Sequence, residues 1–272
     1  MLQAGADVIV NSRSESKLAA LAKDLGNPST LHCVQGTMMP SGVDRTIEKV
    51  LGVGTPNHVV AHSGVAWWGE MGEEDETSII SAAKGGSILD MERSVFAQNT
   101  GLLVDMHFGV AQLLMPKLQN EPGSSYTFLT GTTSLMQRHL SPLNRINVFH
   151  VSGLASALRA ENKARAQSIY MSEVRVGNLP MRDLPSVAKD PNQLPLSAEI
   201  GMLCAGIAQA GDRWEGPQAG GHLHVLDSLQ TLKGLRERFP VTEAAGMDIP
   251  ALWYWEGASS NAAKPTMATG ED

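Results

Sequence analysis

Gly5-Ala6-Asp7-Val8-Ile9-Val10-Asn11-Ser12-Arg13 is the stretch on which the fold of this 272-residue chain turns. Val8-Ile9-Val10 is a short apolar run suited to a strand buried on both faces, and Asn11-Ser12-Arg13 follows it as a polar loop. On its N-terminal side, residues 1–6 read as the last turn of a helix ended by Gly5. On its C-terminal side, Ser14 can cap exposed N–H groups while Lys17, Leu18, Leu21, Ala22 and Leu25 keep a 3.6-residue spacing up to Gly26. Helix end, strand and helix make the second half of a β-α-β unit. The first strand of that unit, and the glycine turn that would set a dinucleotide pyrophosphate on a helix N-terminus, are expected before Met1.

The same alternation runs on. Apolar strand candidates at 31–34, 58–61, 126–129, 174–176 and 222–226 are separated by helical patterns at 42–51, 92–118, 144–165 and 197–210. Strand and helix in alternation predict a doubly wound, Rossmann-like parallel sheet covered on both faces. Residues 67–89 break the rhythm with Glu70, Glu73, Glu74, Asp75 and Glu76 among glycines and two tryptophans, and read as an inserted surface loop. Regular pattern is expected to stop after Leu226. We therefore expect one domain over residues 1–228 and a largely irregular extension over 229–272, with 257–272 disordered.

A net charge of −7 with no basic stripe argues against a nucleic-acid partner. No apolar run reaches the ~18–20 residues of a membrane span, and the first residues lack the pattern of a signal peptide. Cys33 and Cys204 fit neither a disulfide framework nor a zinc site, and both read as small core residues of a cytoplasmic protein.

Taken in order, these pieces resemble the short-chain dehydrogenase/reductase superfamily from its second strand to its last. Ser12 and Arg13 match the loop where a basic side chain can pair with the 2′-phosphate of NADP. Thr37 and Met38 stand where the family holds the adenine edge. Ala61-His62-Ser63-Gly64 resembles the family's N-N-A-G turn, with Ala61 and His62 in place of the two asparagines, and Pro180 matches the segment that closes over the carboxamide. The resemblance thus implies NADP or NAD as cofactor, held by Ser12, Arg13, Thr37, Met38, Ala61, His62, Gly64 and Pro180. Gly220-Gly221-His222-Leu223-His224-Val225-Leu226-Asp227 resembles the last strand. His222 and His224 alternate onto one face, but no cysteine or acidic partner stands at ligand spacing, so no metal is expected.

The catalytic positions are a different matter. In the family a serine orients the substrate carbonyl, and a tyrosine about 13 residues further on donates the proton. A lysine one helical turn beyond, on the same face, lowers the tyrosine pKa and binds the ribose. With Gly153-Leu154, Leu158 and Glu161 as helix landmarks, those positions fall on Gly131, Asn144 and Val148. Shifting the register to Phe149 and Gly153 supplies no proton donor either. The residues four beyond Tyr126, Tyr170 and Tyr254 are Thr130, Val174 and Ala258, so Y-x-x-x-K occurs nowhere in the chain. Thr132 offers a hydroxyl, which positions a substrate without supplying an acid of tuned pKa. The family's asparagine falls on Leu103, with Asn99 one helical turn earlier.

Two readings stay open. One is an oxidoreductase by descent that is catalytically impaired or non-catalytic. The other is an active NAD(P)H-dependent carbonyl reductase or alcohol dehydrogenase with a truncated gene start and an unconventional proton donor. Either would face a small carbonyl or alcohol, and the family's habit implies a homodimer or tetramer.

Overall fold

A computed structural model of the chain describes residues 1–62, 88–90, 92–118, 123–131, 142–165, 169–177, 179, 196–210 and 221–241. Gly64, Thr132, Pro180 and the 257–272 tail lie outside the described residues, as do the side chains of Asn99 and Asn144. Of the expected insert at 67–89, only a short 3-10 turn at Ile88–Asp90 falls within them.

Strands and helices alternate as β1 (Val8–Ser12), α1 (Glu15–Asp24), β2 (Leu31–Gln35), α2 (Val43–Val53), β3 (His58–Ala61), α3 (Arg93–Leu118), β4 (Ser125–Gly131), α4 (Pro142–Ala164), β5 (Tyr170–Val176), α5 (Leu196–Ala210), β6 (Leu223–Leu226) and α6 (Leu229–Arg238). Local chemistry explains the boundaries. The turn at Leu2–Ala4 ends on Gly5 at φ 80°, a left-handed conformation that glycine reaches without a Cβ penalty. Ser14 caps α1, its side chain accepting from the Lys17 N–H at 3.2 Å. In α2 the buried residues Val43, Thr46, Ile47 and Val50 follow the spacing of one helical face.

Every pairing is parallel. β1 pairs with β2 from Val8–Leu31 to Ser12–Gln35, while β3, β4, β5 and β6 form a separate sheet in that order. Among the described residues the strands form two sheets: β1 pairs with β2 and β3 with β4, and the facing edges of β1 and β3 line a cleft of about 1030 Å³.

Side chains of the four-stranded sheet alternate between two cores. Tyr126, Phe128 and Met171 face α3 and α4 and pack with Ile47, Leu103, Leu114 and Val151. Tyr170, Val174 and Leu226 face α5 and α6 and pack with Leu203, Ile207, Leu232 and Phe239. Burial of each such side chain contributes about 1.5–3 kcal/mol, so these two layers hold the sheet between its helices. Gly221 fits where β5 meets β6, since a Cβ at its φ of 106° would collide with the Met171 carbonyl.

Two expectations need correcting. Cys33 is exposed rather than a core residue, because β2 is an edge strand, and its thiol reaches only the Leu18 carbonyl at 3.7 Å. Cys204 alone is buried. Regular structure also continues past Leu226. Ser228 caps α6 by accepting from the Thr231 N–H at 3.1 Å, and Leu232 and Phe239 carry that helix into the α5 core.

Candidate functional site

In an open parallel sheet, ligands bind beyond the carboxyl ends of the strands, at the point where strand order reverses. The cleft between β1 and β3 is that point. Ser12 and Arg13 end β1, Thr37 and Met38 follow β2, Ala61 and His62 end β3, and Gly131 ends β4, so the fold brings these sequence-predicted positions to one rim.

At the β1 and β2 ends the loops are tied together. Asn11 donates from Nδ2 to the carbonyls of Val34 at 2.9 Å and Gly36 at 3.1 Å, and Gln35 donates to the Arg13 carbonyl at 3.3 Å. Arg13 itself is exposed beyond this clasp. The Ser12 hydroxyl accepts from the Ser14 N–H at 3.2 Å. Thr37 serves the loop into α2: its hydroxyl accepts from the Met39 N–H at 3.1 Å and its carbonyl from the Thr46 hydroxyl at 2.8 Å. Met38 packs against the core under α3 and α4.

Ala61 is buried in that same core at the end of β3. His62, next in sequence, keeps part of its ring open to solvent, while the cleft walls desolvate the rest and hold its pKa below the ordinary imidazole value. His107 on α3 lines the same cleft, with its ring 5.8 Å from that of Phe128. Burial, aided by His62, lowers the His107 pKa to about 4.

The catalytic positions carry no acid. Gly131 has no side chain, and Val148 is apolar and 8% exposed on the inner face of α4. Asn144 lies in the first turn of α4. Tyr126 and Tyr170 are buried in opposite cores, where burial pushes both phenols above their usual range. Both phenols therefore stay protonated at neutral pH, each inside an apolar layer. Leu103 is a core residue of α3, one turn beyond Asn99.

Three features escaped the sequence reading. His150 on α4 places Nδ1 2.7 Å from the Thr100 carbonyl on α3. Asn147, also on α4, is buried, and its Oδ1 has no hydrogen-bond partner among the described residues. Glu173 is fully buried on β5 beneath α4. Its Oε1 accepts from Thr130 (2.9 Å), Ser152 (2.9 Å) and the Arg175 guanidinium (2.8 and 3.0 Å), and its Oε2 from Arg159 (3.2 Å). Every one of these partners is a donor, so Glu173 acts as an acceptor. A signal existed: Glu173 and Arg175, two apart on a strand, share a face.

The described residues offer polar groups of the kind an adenosine end takes at the ends of β1 and β2 (Ser12, Arg13, Thr37) and the ends of β3 and β4 at Ala61, His62 and Gly131. Among the described residues lining the cleft, however, none belongs to the first turn of an α-helix, and a pyrophosphate needs such a turn for its N–H groups and dipole. A whole dinucleotide is not accommodated by them.

No family model and no curated protein sequence matches the chain. Solved structures do. The chain is similar to a short-chain dehydrogenase/reductase of the glucose/ribitol dehydrogenase kind from Brucella melitensis, with 16% identity, TM-score 0.55, and 82% of this chain and 85% of that chain covered. It is also similar to an apo SCOR enzyme from Clostridium thermocellum, with 12% identity, TM-score 0.53 and 83% of each chain covered. A carbonyl reductase from Pseudomonas aeruginosa, crystallised with NADP, matches at 15% identity and TM-score 0.53 over 83% of this chain and 87% of that chain. The chain has the α/β fold of the short-chain dehydrogenases/reductases.

Proposed function

We propose that this chain is an oxidoreductase by descent that does not transfer hydride by the tyrosine–lysine route of the fold it shares. The observation that carries the reading is Val148, a buried valine where a lysine ammonium would have to reach a ribose and a phenol. Gly131 and the two buried tyrosines agree with it. A hydroxyl or an imidazole elsewhere on the rim can orient a small carbonyl or alcohol, yet orientation without an acid of suitable pKa forgoes the roughly 10²–10⁴-fold that general acid catalysis contributes. NADP or NAD, when bound, would supply the hydride. The chain's own part is that of Arg13 and Ser12 meeting the adenosine end, with Arg13 favouring the 2′-phosphate of NADP. The cytoplasmic setting expected from the sequence belongs to this proposal.

NADPH oxidation followed with a panel of aldehydes and ketones is expected to stay at the buffer rate. Turnover above that rate would overturn the reading in favour of a working carbonyl reductase with an unconventional proton donor.

A homodimer is part of the same proposal. Phe108 on α3 and Phe149 on α4 are 45% and 62% exposed on two helices that pack together, a costly display for large aromatic rings. Sedimentation velocity is expected to give a dimer that Phe149→Glu converts to monomer. A monomeric unaltered protein would remove this part.

A further inference from the structure

We propose that α6 is a latch that acid releases: a proton taken up by His224 on β6 drives Phe239, and with it the helix Leu229–Arg238, off the α5 face of the sheet while the strands stay paired. The seat of Phe239 and the hinge of α6 carry the inference. The helix leaves β6 at Ser228, whose hydroxyl accepts from the Thr231 N–H, and the Thr231 hydroxyl donates to the Asp227 carboxylate at 2.6 Å, so the hinge end is capped whether or not the far end is docked. The far end closes on Phe239, buried between two neighbours. One is Gly206 of α5, where a Cβ would collide with the Phe239 carbonyl oxygen. The other is His224, whose buried ring meets the Phe239 ring edge-on at 5.2 Å. Nε2 of His224 is buried with no hydrogen-bond partner among the described residues. A neutral imidazole packs there at modest cost, whereas an imidazolium needs acceptors for two N–H groups.

The groups around this ring set the direction of the response. On β6 the His222 ring lies 5.7 Å from that of His224 and 6.1 Å from the Tyr170 ring of β5. From α6 comes Arg238, its guanidinium 5.7 Å from the Phe239 centroid, and from α4, across the sheet, comes Arg159, paired with Glu173 at 3.2 Å. From α5 come the Cys204 thiol, which burial keeps neutral, and Glu199, held by Arg236 at 2.9 Å. Burial first, and then His222, Arg238 and Arg159, hold the docked His224 pKa at about 4. Release returns the ring to the ordinary value of about 6.5, so each pH unit within that interval favours the released helix about tenfold. Little holds the arm against this. Leu232 and Phe239 are its buried anchors, with Leu235 partly buried, and a helix of 10 residues has scant stability once undocked. Release uncovers Val174 and Leu226, so an apolar face is displayed in acid alone.

Amide hydrogen exchange of the full chain, followed by mass spectrometry at about pH 7.5 and about pH 5 and corrected for the intrinsic rate, tests the latch. Protection over residues 229–238 is expected to fall about thirtyfold at the lower pH, while β4 and β5 stay protected. His224→Leu is expected to keep α6 protected in acid. Gly206→Ala, whose added methyl closes the seat of Phe239, is expected to release α6 at both pH values. Equal protection of residues 229–238 in the unaltered chain at the two pH values would overturn the proposal, as would its loss in one step with that of β4 and β5. So would a His224→Leu chain that releases α6 in acid to the same extent, or a Gly206→Ala chain whose α6 is as well protected as that of the unaltered chain at the higher pH.

Discussion

Glu173→Ala is expected to destabilise the protein by about 3–5 kcal/mol, measured as a lower urea midpoint at unchanged slope. The carboxylate is wholly buried and anchors Arg159 on α4, Arg175 on β5, Ser152 on α4 and Thr130 on β4. Removing it strands two guanidinium groups and two hydroxyls against an apolar layer, and the cost lies mostly in those orphaned groups rather than in the bonds lost. Arg159 and Arg175 keep 16% and 25% of their side chains exposed, so water can recover part of that cost and the lower end of the range is expected. Glu173→Gln should cost less, because its amide oxygen can still accept from the hydroxyls. The informative contrast is the triple change Glu173→Leu, Arg159→Met and Arg175→Met. With the whole charged set gone, stability is expected to return to within about 1 kcal/mol of the unaltered protein or to exceed it. A Glu173→Ala protein as stable as the parent would show that the cluster is solvated and contributes little.

That cluster also marks where sequence and structure part company. The fold was legible because its signals are local and repeated. Val8-Ile9-Val10 sits between a helix end and a capped helix, and short strands alternate with helices along the chain, as a doubly covered parallel sheet requires. The helix at Leu229–Arg238 was missed because its charged residues, Lys233, Glu237 and Arg238 on the exposed side and Arg236 paired with Glu199, mask the apolar stripe of Leu229, Leu232 and Leu235. Cys33 was misjudged because flanking apolar residues say nothing about whether a strand is central or an edge. At the candidate site the absences were legible, since the lack of Y-x-x-x-K is a property of the string alone. The presences were not. Glu173 meets Ser152 and Arg159 only after β5 is laid beside β4 and roofed by α4, and His150 meets Thr100 only after α3 and α4 pack. Contacts between elements distant in sequence leave no periodicity to detect.

Acid should weaken this protein earlier than its carboxylates alone would dictate. His107 and His224 are both buried, and burial lowers the pKa of each to about 4. For His107 the neighbouring His62 adds to the effect; for His224, the additional charges are those of His222, Arg238 and Arg159. In the unfolded chain both imidazoles titrate near the ordinary value of about 6.5. Below that pH the unfolded state takes up two protons that the folded state refuses until about pH 4, so stability is full above about 6.5 and falls as pH drops through this window. Each group contributes a slope of about 1.4 kcal/mol per pH unit, and the pair about 2.7. Across the window that is about 3 kcal/mol per histidine, a large share of the roughly 5–15 kcal/mol that holds a domain of this kind together. Urea midpoints at pH 7.5, 6 and 5 (chosen to bracket the window at about one-unit steps) are expected to fall steeply. The His107→Leu and His224→Leu double variant should flatten that fall between pH 6.5 and 5, whatever its absolute stability. The geometry of each ring says why. His107 lies against Phe128 on the inner face of α3, and His224 packs edge-on to Phe239 at 5.2 Å, so a proton on either would place a charge beside an aromatic ring in a buried layer. A pH profile of the double variant superimposable on that of the parent would mean that both rings reach water and ionise freely in the folded state.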